Sequence, residues 1–193
     1  MKRRFFLVMV ILCGSLISAA GQRIAIKTNL LYDATSTINI GLEAGLAPKW
    51  TLDISGNFNT WSKDSQTKWK HYMVQPEARY WLCDRFSRHF LGAHLIGGAF
   101  NFSGIDNNIS FLGTDFSVLK DKRYQGYAYG AGLAYGFAFM LSRHLNLELE
   151  AGFGYICLDY DKFECSGCGQ LSASGIHHYV GPTKAAVNLV FLF

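Results

Sequence analysis

Between Tyr124 and Met140 the chain alternates almost without exception. Tyr127, Tyr129, Ala131, Leu133, Tyr135, Phe137 and Phe139 occupy one parity, and Gly126, Ala128, Gly130, Gly132, Ala134, Gly136 and Ala138 the other. A period of two is the period of a β-strand. One face is bulky and apolar. The other is built only of Gly and Ala, which leaves room for large side chains arriving from neighbouring strands in a closed barrel.

The same alternation recurs seven more times. Residues 23–31 set Ile24, Ile26, Thr28 and Leu30 against Lys27 and Asn29. Residues 38–46 set Ile38, Ile40, Leu42, Ala44 and Leu46 against Asn39, Gly41, Glu43 and Gly45, and a tight turn follows at 47–49. Residues 50–59 continue with Trp50, Leu52, Ile54 and Phe58 against Thr51, Asp53, Ser55, Asn57 and Asn59. In 71–81, Tyr72, Val74, Pro76, Ala78 and Tyr80 oppose Gln75, Glu77 and Arg79. Proline has no N–H for a central ladder, so a bulge or local break is expected at Pro76. Residues 90–102 are glycine-rich, with Leu91, Ala93, Leu95 and Ala99 facing outward and Gly92, His94 and Gly98 inward. Residues 145–160 oppose Leu147, Leu149, Ala151, Phe153 and Tyr155 to Asn146, Glu148, Glu150, Gly152 and Gly154; the last strand is 179–193. The total is eight. Links at 47–49, 82–89 and 141–144 are short, whereas 60–70, 103–123 and 161–178 are long. Alternating short and long connections fit an up-and-down antiparallel barrel with periplasmic turns and outer loops.

The N-terminus reads as an export signal over residues 1–20, with the domain at 21–193. Lys2, Arg3 and Arg4 precede an apolar run from Phe5 to Cys13, and Ser18, Ala19 and Ala20 supply small residues for cleavage. The alternative is a retained anchor, but the run is short for a bilayer span. Removing those three cations takes the formal charge from +4 to +1. The basic balance therefore gives no argument for nucleic acid. No later stretch is apolar for the length of a transmembrane helix, yet half of the chain is hydrophobic. A membrane protein without such a helix must close a β-barrel to satisfy its backbone. The competing fold is a soluble sandwich or lipocalin-like barrel, whose apolar face would point inward. Here the apolar face is rich in aromatics, and the sparse polar face suits a small polar core.

The final strand puts Ala185, Val187, Leu189, Phe191 and Phe193 on one parity, with Lys184 and Asn188 on the other. It resembles the recognition strand of outer-membrane barrels, with Phe191 and Phe193 as the insertion signal. Other stretches are more specific: residues 27–33 (KTNLLYD), 50–53 (WTLD), 76–81 (PEARYW), 123–126 (RYQG), 161–169 (DKFECSGCG) and 181–186 (GPTKAA). Together they resemble a domain-of-unknown-function family of small exported barrels from Bacteroides-type bacteria. The resemblance implies an outer-membrane barrel without an established activity, in some members associated with surface-fimbria systems. It supplies no catalytic residues.

By parity, Lys27, Glu43, Asp53, Glu77, Arg79, His94, Glu148, Glu150 and Lys184 face the lumen. Buried charges need partners, so these are expected to form a hydrogen-bonded plug. Glu77 and Arg79, facing Glu148 and Lys184, resemble the plug of the outer-membrane protein A barrel. A proton or ion path would need a continuous wet channel. Cys165 and Cys168 are the disulfide candidate, since an exported chain favours a closed pair. Zinc is the alternative, but adjacent His177 and His178 on an extended chain point opposite ways. Cys157 is a further conceivable partner, and Cys83 a lone thiol. No serine–histidine–carboxylate constellation is visible, so neither a catalytic site nor a cofactor or metal is expected. Trp50, Tyr72, Tyr80, Trp81, Tyr127, Tyr155 and Tyr179 are assigned to interfacial girdles. Trp61 and Trp69, flanking the 63–70 loop, are read as loop packing.

The functional expectation is an outer-membrane scaffold presenting surface loops. Its partners would be outer-membrane lipid, the barrel-assembly machinery and a surface protein. An enzyme acting on lipid and a narrow transport pathway are the alternatives.

Overall fold

The computed structural model describes residues 24–62, 68–104, 110–111, 114–115, 122–164 and 169–193. The elements are β1 (Ile24–Asn29), α1 (Leu30–Ala34), β2 (Ile38–Ala47), β3 (Trp50–Ser62), β4 (Lys68–Trp81), β5 (Arg88–Ser103), β6 (Ser110–Phe111), β7 (Thr114–Asp115), β8 (Arg123–Met140), β9 (Leu145–Phe163) and β10 (Leu171–Leu192). β6 and β7 pair only with each other. The other eight strands close one antiparallel barrel in the order β1-β10-β9-β8-β5-β4-β3-β2. β10 returns to β1, with Ala25 opposite Leu192 and Asn29 opposite Asn188. The fold is all-β, eight-stranded and up-and-down.

The dyad pattern decides which side is which. Lys27, Glu43, Asp53, Glu77, Arg79 and Glu148 are buried inside, while Ile38, Leu95, Tyr127 and Leu133 stand out from the wall. The Gly/Ala face of β8 is filled as expected. A Cβ on Gly132 would lie 2.7 Å from His94 Nε2, and one on Gly136 would overlap the Phe90 ring.

Several boundaries move. β1 stops at Asn29, two residues short of the expected end, because Asn29 caps a short helix: its side-chain oxygen accepts from the Leu31 N–H at 3.1 Å. β3 and β4 continue through Ser62 and Lys68, with Trp61 opposite Trp69. β9 and β10 run on as a hairpin to Phe163 and Leu171, so most of 161–178 is strand rather than loop. The residues added there include Asp161, Lys162, Ser172 and Ser174. Backbone pairing needs no apolar face, so it persists where the sequence pattern fades.

At Pro76 there is a gap without a bulge. The β4–β5 ladder lapses between Val74↔Gly97 and Glu77↔His94, then resumes in the same register. Register shifts fall instead between Gly45 and Ala47, between Leu171 and Ala173, and, with the largest consequence, between Pro182 and Lys184. One extra residue there inverts the parity of β10: below it Leu189 and Phe191 face out, and above it Ile176 and Val180 do. Tyr179 is thereby turned away from the outer wall, contrary to the girdle assignment, and its hydroxyl donates to the Pro182 carbonyl at 3.4 Å.

Trp81 is the second correction to the girdle. It is 0% exposed and packs inside with Ala25, Phe86, Phe90, Ala138, Val190 and Leu192. It follows Glu77 and Arg79 on the inward parity, and its indole N–H donates to Thr51 Oγ1 at 2.9 Å. These residues floor the barrel at its short-turn end. Phe86 reaches the floor through a left-handed backbone (φ 60°) in the β4–β5 turn. That conformation costs about 1 kcal/mol or more. Burying the ring contributes about 1.5–3 kcal/mol in return, and Asn146 Nδ2 holds the Phe86 carbonyl at 2.7 Å.

Candidate functional site

The structure brings all nine lumen candidates together above the aromatic floor. Arg79 is the hub. Its Nε donates to Glu77 at 2.6 Å, its Nη1 to Glu43 at 2.8 Å and Glu148 at 3.0 Å, and its Nη2 to Glu150 at 2.7 Å. The planar guanidinium presents five donors in a fixed fork, which a lysine could not match. Its lower side rests on the Phe90 ring, 4.4 Å from the centroid, which couples the charged layer to the floor.

Two lysines on the neighbouring strands β1 and β10 complete the layer. Lys27 on β1 donates to Glu43 and lies 3.3 Å from Asp53 and 3.5 Å from Glu148. Lys184, just past the β10 bulge, lies 2.7 Å from Glu77, 3.0 Å from Glu150 and 3.9 Å from Asp53. Thr51 donates its hydroxyl to Glu43. His94 shares a 2.9 Å hydrogen bond with Thr183, the bulged residue, and its Nδ1 sits 3.6 Å from Glu77. Glycines make the space: a Cβ at Gly92 would meet Glu77 Oε1 at 2.7 Å, and one at Gly152 would meet Lys184 Cβ at 3.0 Å.

Above the charges lies a layer of amides and hydroxyls that sequence reasoning left out of the site. Asn59 donates to Thr37 at 2.9 Å, Asn39 donates to Asn57, and the Asn29 N–H donates to Asn39 Oδ1 at 2.8 Å. Their inward parity was the available signal. What hid them is that neutral amides at strand ends look like ordinary loop approaches. A void of about 10 Å³, with Lys27, Asp53, Gln75 and Lys184 on its walls, remains between the two layers. That is room for about one water.

Such a constellation is an electrostatic lock rather than a reaction centre. Its charged groups are directed at one another, and each cation is held by several carboxylates from different strands. Breaking a buried pair of this kind costs about 3–5 kcal/mol, because the survivor is left without compensation.

Cys165 and Cys168 lie outside the described residues. The two described cysteines, Cys83 and Cys157, are free thiols, the first exposed and the second buried. Among the described residues there is no disulfide and no group of three His, Cys, Asp or Glu side chains placed to hold a metal. His177 and His178, which the pattern assigned to a loop, lie in β10. His178 faces outward, where its Nδ1 meets the Tyr155 hydroxyl at 2.5 Å and the two rings stack at 17°. Cys157 is its direct register partner and is itself paired on the other side with Tyr129; the thiol donates to the Tyr129 hydroxyl at 3.4 Å. The sequence pattern missed this outward row because its members are spread over three strands.

At the short-turn end the outward aromatics gather as expected of Trp50 and Tyr80, whose rings lie 5.1 Å apart. Phe137 with Phe139 on β8, and Phe191 with Phe193 at the end of β10, form two further aromatic pairs at that end.

No curated protein matches this chain. Residues 6–193 match a family described as protein of unknown function (DUF3575). That covers the barrel from end to end, and the chain belongs to this family.

Proposed function

We propose that the chain is an outer-membrane β-barrel, exported by a cleaved signal at 1–20, which acts as a structural or interaction scaffold. The short turns would face the periplasm and the long connections the exterior. The observation that carries this reading is the inverted burial. Charged side chains fill the interior, while the wall presents Leu133 at 71% exposure, Ile38 at 69% and Tyr127 at 62%. Water-soluble monomers rarely expose contiguous apolar patches beyond a few hundred Å²; a whole apolar wall suits hydrocarbon. The aromatic contacts at the short-turn end suit an interfacial girdle.

Membrane fractionation with heat-modifiable gel migration tests the location. A folded, heat-modifiable species in outer membranes is expected, and recovery as soluble periplasmic protein would sink the reading. The interaction role is tested by surface pull-down, comparing the full chain with a variant whose β9–β10 tip (163–171) is shortened to a tight turn. Identical captured partners would count against it.

The floor and the charged layer favour a scaffold over a transport pathway, since together they fill the lumen. Planar-bilayer conductance near zero is expected. A second reading, an enzyme acting on lipid, draws on the outward row of Tyr129, Cys157 and His178. Thiol chemistry would need the imidazole to take the thiol proton; instead the thiol is bonded to Tyr129 and the imidazole to Tyr155. Lipid A changed by overproduction of the parent, but not of Cys157→Ser, would promote this second reading.

A further inference from the structure

We propose that the upper part of β10 is a docking edge for an extended segment of a second protein, one that carries apolar side chains at alternate positions and basic rather than acidic charges. The proposal deepens the scaffold reading and rests on it for the side of the membrane from which the partner comes.

The observation is a mismatch of strand lengths. β10 spans Leu171–Leu192, whereas its neighbour β1 spans only Ile24–Asn29. β9 accompanies β10 up to Leu171, which lies opposite Phe163. β1 accompanies it only from Leu192 to Asn188. Beyond Asn29 the chain leaves the wall as α1 and returns in β2 at Ile38. β2 meets β3 no higher than Phe58, while β3 and β4 pair on to Ser62 and Lys68. Among the described residues, the wall above α1 therefore consists of β3, β4, β5, β8, β9 and β10, and no strand lies on the β1 side of residues 171–187.

Side chains finish the lower part of that edge. Asn29 Nδ2 donates to the Ala185 carbonyl at 3.1 Å, and Asn29 Oδ1 accepts the Val187 N–H at 3.1 Å. Tyr179 serves the Pro182 carbonyl. Higher up, the backbone itself faces the gap. Below the bulge the outward residues are the ones that bond toward β1, as the Phe193 N–H does to the Ile24 carbonyl. Above it Ile176 and Val180 face out. The same handedness then turns the N–H and C=O groups of Ser174, Ile176, His178 and Val180 to the β1 side. Pro182 is the next residue of this row, where a missing N–H takes nothing from the β9 ladder. A row of unpaired backbone groups is a template for another strand. Main-chain bonds then supply affinity, and alternate side chains supply specificity.

Symmetry excludes a second copy in the same membrane. Two such copies are related by an axis along the membrane normal, so their facing β10 strands run the same way. Identical edges hydrogen-bond only when antiparallel. The chemistry of the occupant follows from its neighbours. Ile176 and Val180 stand beside it on the outer side, and Asp159 and Asp161 follow on β9. Asp159 is exposed and pairs with Ile176 on one side and Tyr127 on the other. Charge thus enters the outer wall at the height of Ile176, and the edge above it belongs to water.

The probe is a capped peptide alternating valine and threonine between terminal lysines, added to the folded barrel in phosphatidylcholine nanodiscs. Amide hydrogen exchange by NMR reads the edge. In the protein alone, Ser174 and Ile176 should exchange about tenfold or more faster than Gly175 and His177, whose amides point to β9. The peptide should slow the first pair about tenfold or more, and its copy N-methylated at alternate residues should not. Ile176→Pro removes an edge donor and spares the β9 ladder. It should keep heat-modifiable migration and weaken the peptide about tenfold. If that variant fails to fold, exchange in the parent decides. Protection of Ser174 and Ile176 in the protein alone would show an edge already paired and overturn the proposal. So would binding that survives N-methylation, or equal binding of a peptide ending in glutamates. A heat-modifiable membrane barrel that binds no peptide overturns the edge alone. A soluble protein that binds it sinks the membrane location and leaves the edge standing.

Discussion

Leu133→Arg separates a lipid-facing wall from a water-facing one. Leu133 sits on the outer side of β8, opposite Ala93 on β5 and Phe153 on β9. Six residues separate it from Phe139 near the short-turn end. At about 3.3 Å per residue and a tilt of about 40°, that places it about 15 Å above the lower girdle. An apolar band about 25 Å tall has its centre near that height, where an outward arginine costs about 2–4 kcal/mol. Tyr127 lies six residues further up, about 30 Å above Phe139 by the same arithmetic, so Tyr127→Arg should cost only about 0–1 kcal/mol. In water both substitutions would fall within about 0.5 kcal/mol, as exposed positions generally do. Urea titration from phosphatidylcholine vesicles reads the difference directly. Equal effects at the two positions, or a neutral Leu133→Arg, would refute the depth assignment and the lipid-facing wall with it.

Arg79→Gln should cost about 3–5 kcal/mol by leaving four carboxylates without their common donor, and adding Glu43→Gln should recover part of that loss in the same titration. Gly136→Val should destabilise by about 1–3 kcal/mol through overlap with Phe90, with Phe90→Leu restoring most of it; the temperature of the gel-mobility change reports both. Trp81→Ala should cost about 3–5 kcal/mol, while Trp81→Phe, which removes only the indole bond to Thr51, should cost about 1 kcal/mol. If the two Trp81 variants unfold together, the ring is not part of a packed floor.

The alternation of β2, β3 and β8 made the fold legible, because a period of two assigns every side chain to one face once any residue is assigned. Lys27, Glu43, Glu77, Arg79 and Glu148 were therefore identifiable as one set before any contact was known. Where the pattern is interrupted, the reading failed. The bulge at Thr183 inverts the upper half of β10, and nothing local to Tyr179 announces it. An aromatic at a strand end has two destinations, an interfacial girdle or a packed floor, and at Trp81 the inward parity decides for the floor. The extensions of β9 and β10 escaped notice because Asp161, Lys162 and Ser172 carry no hydrophobic signal.

Sequence alone determined that the chain is built of strands with one apolar face and one small or polar face, because a period of two splits each strand's side chains that way; that the strands close and that the apolar face points outward was decided by the tertiary structure. The tertiary structure decided who bonds to whom. Arg79 meets carboxylates from β2, β4 and β9, and Lys184 shares two of them, Glu77 and Glu150, only because the barrel's register and the β10 bulge set them at one height. The surplus of two carboxylates is visible in the composition of the inward face. How three cations are shared among five carboxylates depends on distances that no one-dimensional pattern contains.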